Sequence, residues 1–196
     1  MCAMKIKTMQ PVRSDESAVK YPHAFVQEKL DGIRGVYIPG KGVFTRSGKP
    51  ILAAGHIYDE LTRKGVLLSL DGEIYAPGLP VGKISGMARG KQPNEALEFH
   101  VFDIIDTSAR FKDRLRAMGN LAPAGYKHVR FVKTFDASTT PPSVYFEQVI
   151  SRGGEGIIIR NGESYYEDGY APCCMVKVKP DYVTEADDTG RWDLTT

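Results

Sequence analysis

Short apolar runs separated by glycine-containing turns dominate the chain. Residues 24–30 (AFVQEKL) and 33–38 (IRGVYI) flank an Asp-Gly dipeptide, which is typical of a hairpin turn between two strands. Further strands are predicted at 40–49, 66–75, 97–105, 128–135, 156–160 and 174–180. A second Asp-Gly interrupts the run at 66–75. The pattern therefore predicts a domain rich in strands.

Three stretches have the apolar spacing of helices. In residues 54–65 this spacing ends at a glycine, and residues 141–154 open with proline and close with glycine. Phe111, Leu115 and Met118 indicate a third helix, which is basic and amphipathic. Since strands outnumber helices, we expect an α+β domain of antiparallel sheets flanked by helices.

The composition bears on the size of the core and on the distribution of charge. The chain has 196 residues, of which 42% are hydrophobic, so it can bury a sizeable core as one domain. The net charge of +2 conceals an asymmetry, because residues 181–196 hold five acids and one base. Residues 110–133 contain seven bases and one acid. A cationic patch of this kind attracts phosphate polymers, although a solvated face is the commoner explanation of a charge run.

Several classes of protein are disfavoured. No run of 18 apolar residues is present, and the first ten residues, MCAMKIKTMQ, lack the apolar stretch of a secretory signal. We therefore expect an intracellular protein, cytoplasmic or nucleoid-associated, including one in a virus-infected cell, with no membrane partner. Cys2, Cys173 and Cys174 have neither disulfide-framework nor zinc-ligand spacing, so all three are predicted to be free thiols.

Residues 29–34 (KLDGIR) raise the question of chemistry. Because a buried ammonium must be paired or desolvated, Lys29 is either solvated beside a tight turn or held in a pocket for a reaction. Near the other end, period-2 geometry puts Lys177 and Lys179 on one face of a strand, with Val176 and Val178 toward the core.

Six motifs follow one another in the chain: KLDGIR (29–34), TRSGK (45–49), DGEI (71–74), FHVFDII (99–105), EGIIIR (155–160) and MVKVKP (175–180). Each has an ordinary explanation as a turn, an edge strand or a core strand. As an ordered set they resemble the nucleotidyltransferase motifs of the covalent nucleotidyltransferase superfamily, most closely the ATP-dependent DNA ligases. The resemblance spans residues 27–180. It implies an ATP-grasp-like adenylation domain with a nucleotide cleft between antiparallel sheets.

The resemblance implies a reaction and a set of residues for it. Lys29 would attack the α-phosphorus of ATP, form lysyl-AMP, and pass AMP to a 5′-phosphate at a nick, where a 3′-OH displaces it. Lys177 and Lys179 would contact the α-phosphate and share in catalysis. Glu155 would bind Mg²⁺. Glu73 would hold a ribose hydroxyl, and its carboxylate would be a second metal ligand. Such cations would also favour the neutral lysine needed for attack.

The remaining assignments concern the nucleotide and the DNA. Gln27, on the same strand face as Lys29, would read the adenine edge, and Phe102 would stack on adenine unless it is a plain core residue. Asp103 is expected on the opposite side of a regular strand from Phe102. Arg34 and Arg46 would meet the ribose or the nick 5′-phosphate.

The same resemblance sets the expected domain organisation. Residues 1–180 would form the nucleotidyltransferase domain and 181–196 an acidic C-terminal tail, which is too short for the OB-fold domain usual in these ligases. The expected partner is nicked duplex DNA, held by a weak, salt-sensitive grip, with a missing OB-fold domain or a partner protein completing the surface. We expect a monomer.

Two alternatives remain open from the sequence. An RNA ligase or an mRNA-capping guanylyltransferase core shares the lysine motif and would differ in its preference between ATP and GTP. A non-catalytic nucleotide- or nick-binding module would retain the fold without turnover. The joint presence of Lys29, Glu73, Glu155, Lys177 and Lys179 favours catalysis.

Overall fold

A computed structural model describes residues 6–13 and 21–180, together with two short strands at 185–186 and 192–193. The strands, numbered in chain order, are β1 Met9–Gln10, β2 Val12–Arg13, β3 Ala24–Glu28, β4 Ile33–Ile38, β5 Gly42–Thr45, β6 Leu70–Tyr75, β7 Glu98–Ile104, β8 Val129–Phe131, β9 Thr134–Asp136, β10 Ile157–Asn161, β11 Gly169–Tyr170, β12 Met175–Val178, β13 Glu185–Ala186 and β14 Trp192–Asp193. The helices are α1 Gly55–Arg63, α2 Val81–Ala88, α3 Phe111–Leu121 and α4 Pro142–Ser151.

Two compact units share the chain. The first takes in residues 31–106 and 113–132, and the second takes in residues 9–13, 21–30, 107–112 and the described residues from 133 onward. The α+β class with antiparallel sheets and few helices is confirmed.

The first unit is built on a five-stranded sheet of order β5-β4-β6-β7-β8, antiparallel except for the β7–β8 pair. One face of this sheet buries Leu70, Ile74 and Phe99 against apolar side chains of the helices, among them Ile57 of α1 and Ile84 of α2. Burial of such side chains contributes roughly 1.5–3 kcal/mol each, which makes this face the main stabilising element of the unit.

The second unit has its own five-stranded sheet, of order β2-β12-β10-β3-β9. Its pairs are antiparallel except β2–β12. Val26, Val176 and Val178 are fully buried on one face, together with Ile157 and with Val149 of α4. The expectation that Val176 and Val178 face a core is therefore confirmed, and Lys177 belongs to the other face.

Three local predictions need correction. Asp31–Gly32 is not a hairpin turn, because β3 pairs with β9 and β10 while β4 pairs with β5 and β6. Asp71–Gly72 is no interruption either, since both residues lie inside β6. The predicted strand at 128–135 is two strands, β8 and β9, which join different sheets.

One helix was not predicted. Helix α2 begins after Pro80, whose fixed backbone suits a helix start, but Gly82 and Gly86 dilute the apolar pattern of its eight residues. The helices predicted at 54–65, at Phe111, Leu115 and Met118, and at 141–154 are confirmed as α1, α3 and α4.

The cysteines and the C-terminal segment divide between described and undescribed residues. Cys173 is exposed, Cys174 is buried, and both are free thiols, as predicted. Cys2 and most of the acidic segment 181–196 lie outside the described residues. Among the residues that are described, no helix has both the length and the apolar character needed to cross a membrane.

Candidate active site

The second unit brings three predicted residues into one charged cluster, Lys29, Glu155 and Lys179. The ammonium of Lys29 donates to Glu155 Oε2, and Lys179 Nζ lies 2.5 Å from Glu155 Oε1. All three side chains are partly buried, with 20–27% of their surface exposed. One carboxylate thus holds two lysines that are 150 residues apart in the chain.

The backbone explains how these side chains meet. Lys29 directly follows β3, and its N–H donates to the carbonyl of Gly156 at 2.9 Å, which continues the β3–β10 pairing past the end of both strands. Gly156 has a φ of +145°, and a Cβ there would lie 2.1 Å from the carbonyl oxygen of Val178. Only glycine fits this position, so residue 156 lets the backbone beside Glu155 pass close to the end of β12.

Gly153 and Gly154 serve the preceding helix. Gly153 has a φ of +82° directly after α4, and Gly154 donates its N–H to the carbonyl of Val149 at 2.9 Å. These glycines therefore end the helix and start the turn into β10, and Gly156 provides close approach to a neighbouring strand.

The electrostatic state of Glu155 follows from its neighbours. Burial by itself raises the pKa of this carboxyl, but the hydrogen bonds from Lys179 and Lys29 outweigh it, and the net pKa lies below the ordinary value. Glu155 is therefore ionised at neutral pH. An ionised carboxylate favours the ammonium form of a lysine that it contacts.

Gln27 lies on β3 and is almost fully buried, at 1% exposure. Its amide nitrogen donates to Thr134 Oγ1 at 2.9 Å, and its oxygen accepts from Arg160 Nη1 at 3.2 Å. Arg160 is also buried, and its guanidinium lies 4.0 Å from the ring centre of Phe111. Both halves of the Gln27 amide thus have partners within the protein, which fixes which end donates and which accepts.

Lys177 occupies the middle of the polar face of this sheet. It stands opposite Ile158 on β10, and Ile158 in turn stands opposite Gln27 on β3. Lys179 lies one residue beyond the end of β12. Neighbouring strands lie about 4.8 Å apart, so Gln27 and Lys177 are separated by two strand spacings on one face.

The first unit holds the predicted arginine and aromatic residue together. Arg34 binds Asp71 through two hydrogen bonds, with Nε 2.5 Å from Oδ1 and Nη2 on Oδ2. Its guanidinium also lies 4.7 Å from the ring centre of Phe102. Asp71 is fully buried, whereas Arg34 and Phe102 are half-buried. Phe102 is thus not a plain core residue.

Strand β7 is irregular at Phe102. The register shifts there, because Gly72 pairs with Val101 while Asp71 pairs with Asp103, and Phe102 lies at this shift. The expectation for Asp103 assumed regular alternation, which this bulge removes. Asp103 is buried and binds Arg114 of α3, with Nε 2.8 Å from Oδ1 and Nη2 3.1 Å from Oδ2.

Glu73 and Arg46 also lie in the first unit. Glu73 is half-buried on β6, in register with Arg34 on one side and His100 on the other. Arg46 is exposed in the tight turn after β5, where Gly48 adopts a φ of +80° and donates its N–H to the carbonyl of Thr45. The nine predicted site residues therefore divide between the units, with Arg34, Arg46, Glu73 and Phe102 in the first and the others in the second.

The basic run at 110–133 is largely neutralised. Six of its seven cations form ion pairs, with the carboxylates of Glu163, Asp103, Asp113, Glu95 and Glu98. The seventh, Lys133, lies 4.7 Å from the ring centre of Phe135. With these partners counted, the run is less positive than its composition alone indicated.

Sequence reasoning missed three residues that organise this chemistry: Asp71, Arg114 and Arg160. Asp71 stands inside a motif but was assigned to a turn. A signal existed for Arg160, because a charged residue at the end of the apolar run IIIR needs a partner when the strand is central. Nothing local pointed to Arg114, whose partner Asp103 is brought to it by the fold.

Comparison with known proteins places these features in a family. The family model described as the ATP dependent DNA ligase domain matches residues 4–179. The DNA ligase of African swine fever virus (strain Badajoz 1971 Vero-adapted) is 29% identical over 177 residues, covering 79% of this chain and 41% of the viral protein. The DNA ligase of Haemophilus influenzae is 25% identical over 146 residues, covering 72% and 53%.

Solved structures agree on the fold. The Chlorella virus DNA ligase-adenylate has a TM-score of 0.74 at 22% identity and covers 90% of this chain and 68% of its own. The fold is thus that of a DNA ligase nucleotidyltransferase domain. The chain belongs to the ATP dependent DNA ligase domain family, and it spans between two fifths and about half of the two curated relatives named above.

Proposed function

We propose that this chain is the adenylation core of an ATP-dependent DNA ligase, with Lys29 as the nucleophile. The observation that carries the proposal is the cluster of Lys29, Glu155 and Lys179, which three strands of one sheet hold together inside a ligase-family domain. The neutral amine of Lys29 would attack the α-phosphorus of ATP, forming the N–P bond of lysyl-AMP as pyrophosphate leaves. The second and third reactions would transfer AMP to a 5′-phosphate at a nick and join it to the 3′-OH.

Glu155 is ionised, and its Oε2 accepts a hydrogen bond from Lys29 Nζ. Attack requires a neutral amine. The proton must leave Lys29, and the contact with Glu155 must loosen, before the amine can reach phosphorus. Lys179, held by the other carboxylate oxygen, supplies positive charge where an α-phosphate would carry negative charge.

Glu155 is also the residue proposed to contact Mg²⁺. Magnesium ions bind through one or two carboxylates, with water and substrate phosphates completing the shell, and a single half-buried carboxylate suits that mode. Bound there, the cation would neutralise phosphate charge and compete with the lysines for Glu155. Glu73 is retained as the proposed ribose contact and possible further metal ligand.

The contacts of the remaining site residues bear on the roles proposed for them. Gln27 would read adenine with an amide whose orientation Thr134 and Arg160 already set. Phe102 would stack on adenine, and Lys177 would contact the α-phosphate. Arg34 would reach a ribose or 5′-phosphate only in competition with Asp71, and Arg46 would do so from the exposed turn after β5.

We infer that the domain covers residues 1–180, that nicked duplex DNA is the polymer substrate, and that an OB-fold domain or a partner protein adds to the grip on DNA. Family membership supports the DNA substrate better than the charge of the chain does, because most of the basic run is already paired.

Covalent labelling tests the nucleophile. We expect the protein, incubated with Mg²⁺ and ATP labelled at the α-phosphate, to acquire label that survives denaturation and is released by acid, as a phosphoramidate is. Lys29→Arg keeps a cation beside Glu155 but has no nucleophilic amine, so it should acquire no label. Lys83→Ala, at an exposed lysine of α2, should label as the wild type does.

Two outcomes would contradict the proposal. Equal labelling of Lys29→Arg would place the nucleophile elsewhere, and labelling by GTP alone would indicate a guanylyltransferase. Transfer is checked separately: the labelled protein should pass AMP to a nicked duplex carrying a 5′-phosphate, and a protein that holds AMP but never transfers it would be a binding module.

A further inference from the structure

Residues 167–174, which include β11 and the turn before β12, hold three metal-binding groups, those of Glu167, Cys173 and Cys174. One carboxylate oxygen and the two Sγ atoms all lie within 4.8 Å of one another. The two sulfur atoms are 3.5 Å apart and not bonded, and Cys173 Sγ lies 3.9 Å from Glu167 Oε2. These residues play no part in the adenylation chemistry proposed above.

The distances match the edges of a tetrahedral zinc site. With Zn–S bonds of about 2.3 Å and a Zn–O bond of about 2.1 Å, tetrahedral angles place two sulfurs about 3.8 Å apart and sulfur and oxygen about 3.6 Å apart. The measured separations of 3.5 and 3.9 Å differ from these by about 0.3 Å each. Two edges therefore lie near tetrahedral values, and the third, between Cys174 Sγ and the Glu167 carboxylate, is no longer than 4.8 Å.

Hydrogen bonds to the backbone hold the turn that carries the two cysteines. The N–H of Cys174 donates to the carbonyl of Ala171 at 3.0 Å, and Asn161 Nδ2 donates to the carbonyl of Cys173 at 2.9 Å. The carbonyl of Pro172 accepts a hydrogen bond from the Tyr21 hydroxyl at 2.5 Å. Since the turn is tied down at consecutive residues, little ordering would be needed when an ion binds.

The chemistry of the donors selects the ion. Two thiolates and one carboxylate suit a borderline-soft cation of tetrahedral preference and not Mg²⁺ or Ca²⁺, which take oxygen ligands. Cys173 and Glu167 are exposed, so an ion can enter from solvent and a water molecule can take the fourth position.

We propose that Glu167, Cys173 and Cys174 form a zinc-binding site that ties residues 167–174 to the start of β12. The proposal is independent of the function proposed for the chain. It differs from the sequence-based expectation, because the adjacent cysteines lack any familiar zinc-ligand spacing and their carboxylate partner is recognised only in the fold.

Cobalt(II) is the probe, since its spectrum reports both thiolate ligation and geometry. The protein carries Cys2→Ser, so that the pair supplies its only thiols, and is kept reduced with a phosphine. We expect one equivalent of Co²⁺ to produce a sulfur-to-cobalt charge-transfer band and the intense d–d bands of tetrahedral Co²⁺. Zn²⁺ should then bleach both, because zinc binds such sites more tightly than cobalt.

Variants assign the ligands. The Cys173→Ser/Cys174→Ser protein should show neither band, and Glu167→Gln should bind at least about tenfold more weakly. Asp168→Asn, which alters the next carboxylate in the chain, is the matched control and should bind as the parent does. Zn²⁺ should raise the Tm of the parent by a few degrees and leave that of the double serine variant unchanged.

Three results would overturn the proposal. These are a weak octahedral cobalt spectrum, the same bands in the double serine variant, and no binding of Co²⁺ by protein whose two thiols are shown to be reduced by thiol titration. Because none of these measurements uses ATP or DNA, they fail or succeed separately from the labelling experiment.

Discussion

The two units treat their central carboxylates differently. In the first unit, Asp103 is almost fully buried and binds Arg114 through two hydrogen bonds. This geometry does not favour a change of partner. In the second unit, Glu155 is partly exposed and is shared between two lysines. A guanidinium fork fixes geometry, whereas an ammonium is a compact charge on a flexible stem that can change partners. We infer that the first carboxylate serves stability and the second serves chemistry.

The largest expected effect is on the stability of the first unit. Arg114→Met would leave the Asp103 carboxylate buried without its cation, which typically costs about 3–5 kcal/mol in the free energy of unfolding. Urea denaturation followed by circular dichroism measures it. Arg116→Met, two residues further along the same helix, removes an exposed pair with Asp113 and should cost no more than about 0.5 kcal/mol. Similar costs for both variants would refute the structural role assigned to Asp103.

Glu155→Gln should have a small effect on stability and a large effect on labelling by ATP. Its charge pairs are partly exposed, so we expect a loss of about 1 kcal/mol or less in the free energy of unfolding. Labelling by ATP should nevertheless fall by about a hundredfold, because the proposed metal contact and the placement of both lysines are lost. A Glu155→Gln protein that is strongly destabilised yet labels normally would reverse the comparison between the two carboxylates.

The smallest effect depends on pH and concerns Glu163. Hydrogen bonds from Lys112, then His23 and Arg110, lower the pKa of this partly buried carboxyl from its ordinary value of 4.5 to about 2. A pKa that folding depresses contributes stability above the unfolded value, and this contribution is lost as the pH falls from about 4.5 through about 2. The urea midpoints of wild type and Glu163→Gln should therefore differ at pH 6 and converge toward pH 2. A constant difference over that range would contradict the assignment.

The order of the motifs predicted part of the grouping of the charged residues. Lys29, Glu155 and Lys179 were identified because the order of motifs carries information that no single residue does, and the fold brings these three into contact. Their predicted roles, like those of the other six site residues, stay predictions. Alternation alone correctly assigned Val176 and Val178 to a core, because period-2 geometry needs no knowledge of the partner strand.

What the sequence could not supply depends on distant partners. Asp31–Gly32 has the composition of a hairpin turn, but β3 pairs with β10 and β4 pairs with β6. Turn propensity is a local property and does not predict which distant strands pair. The strand predicted at 128–135 divides because β7 pairs with its first half and β3 with its second. Likewise Arg110 and Lys112 share a carboxylate partner, Glu163, more than 50 residues away.

The paired state of residues 110–133 bears on how this surface would meet a polyanion. When a phosphate replaces a carboxylate beside an arginine, the polymer releases a condensed counterion, but the displaced carboxylate gathers a cation from solution. The net number of ions set free is then smaller than the number of new contacts. Binding of a polyanion by these residues would thus exchange one anion for another. The binding affinity would depend less steeply on ionic strength than it would for seven cations without ion-pair partners.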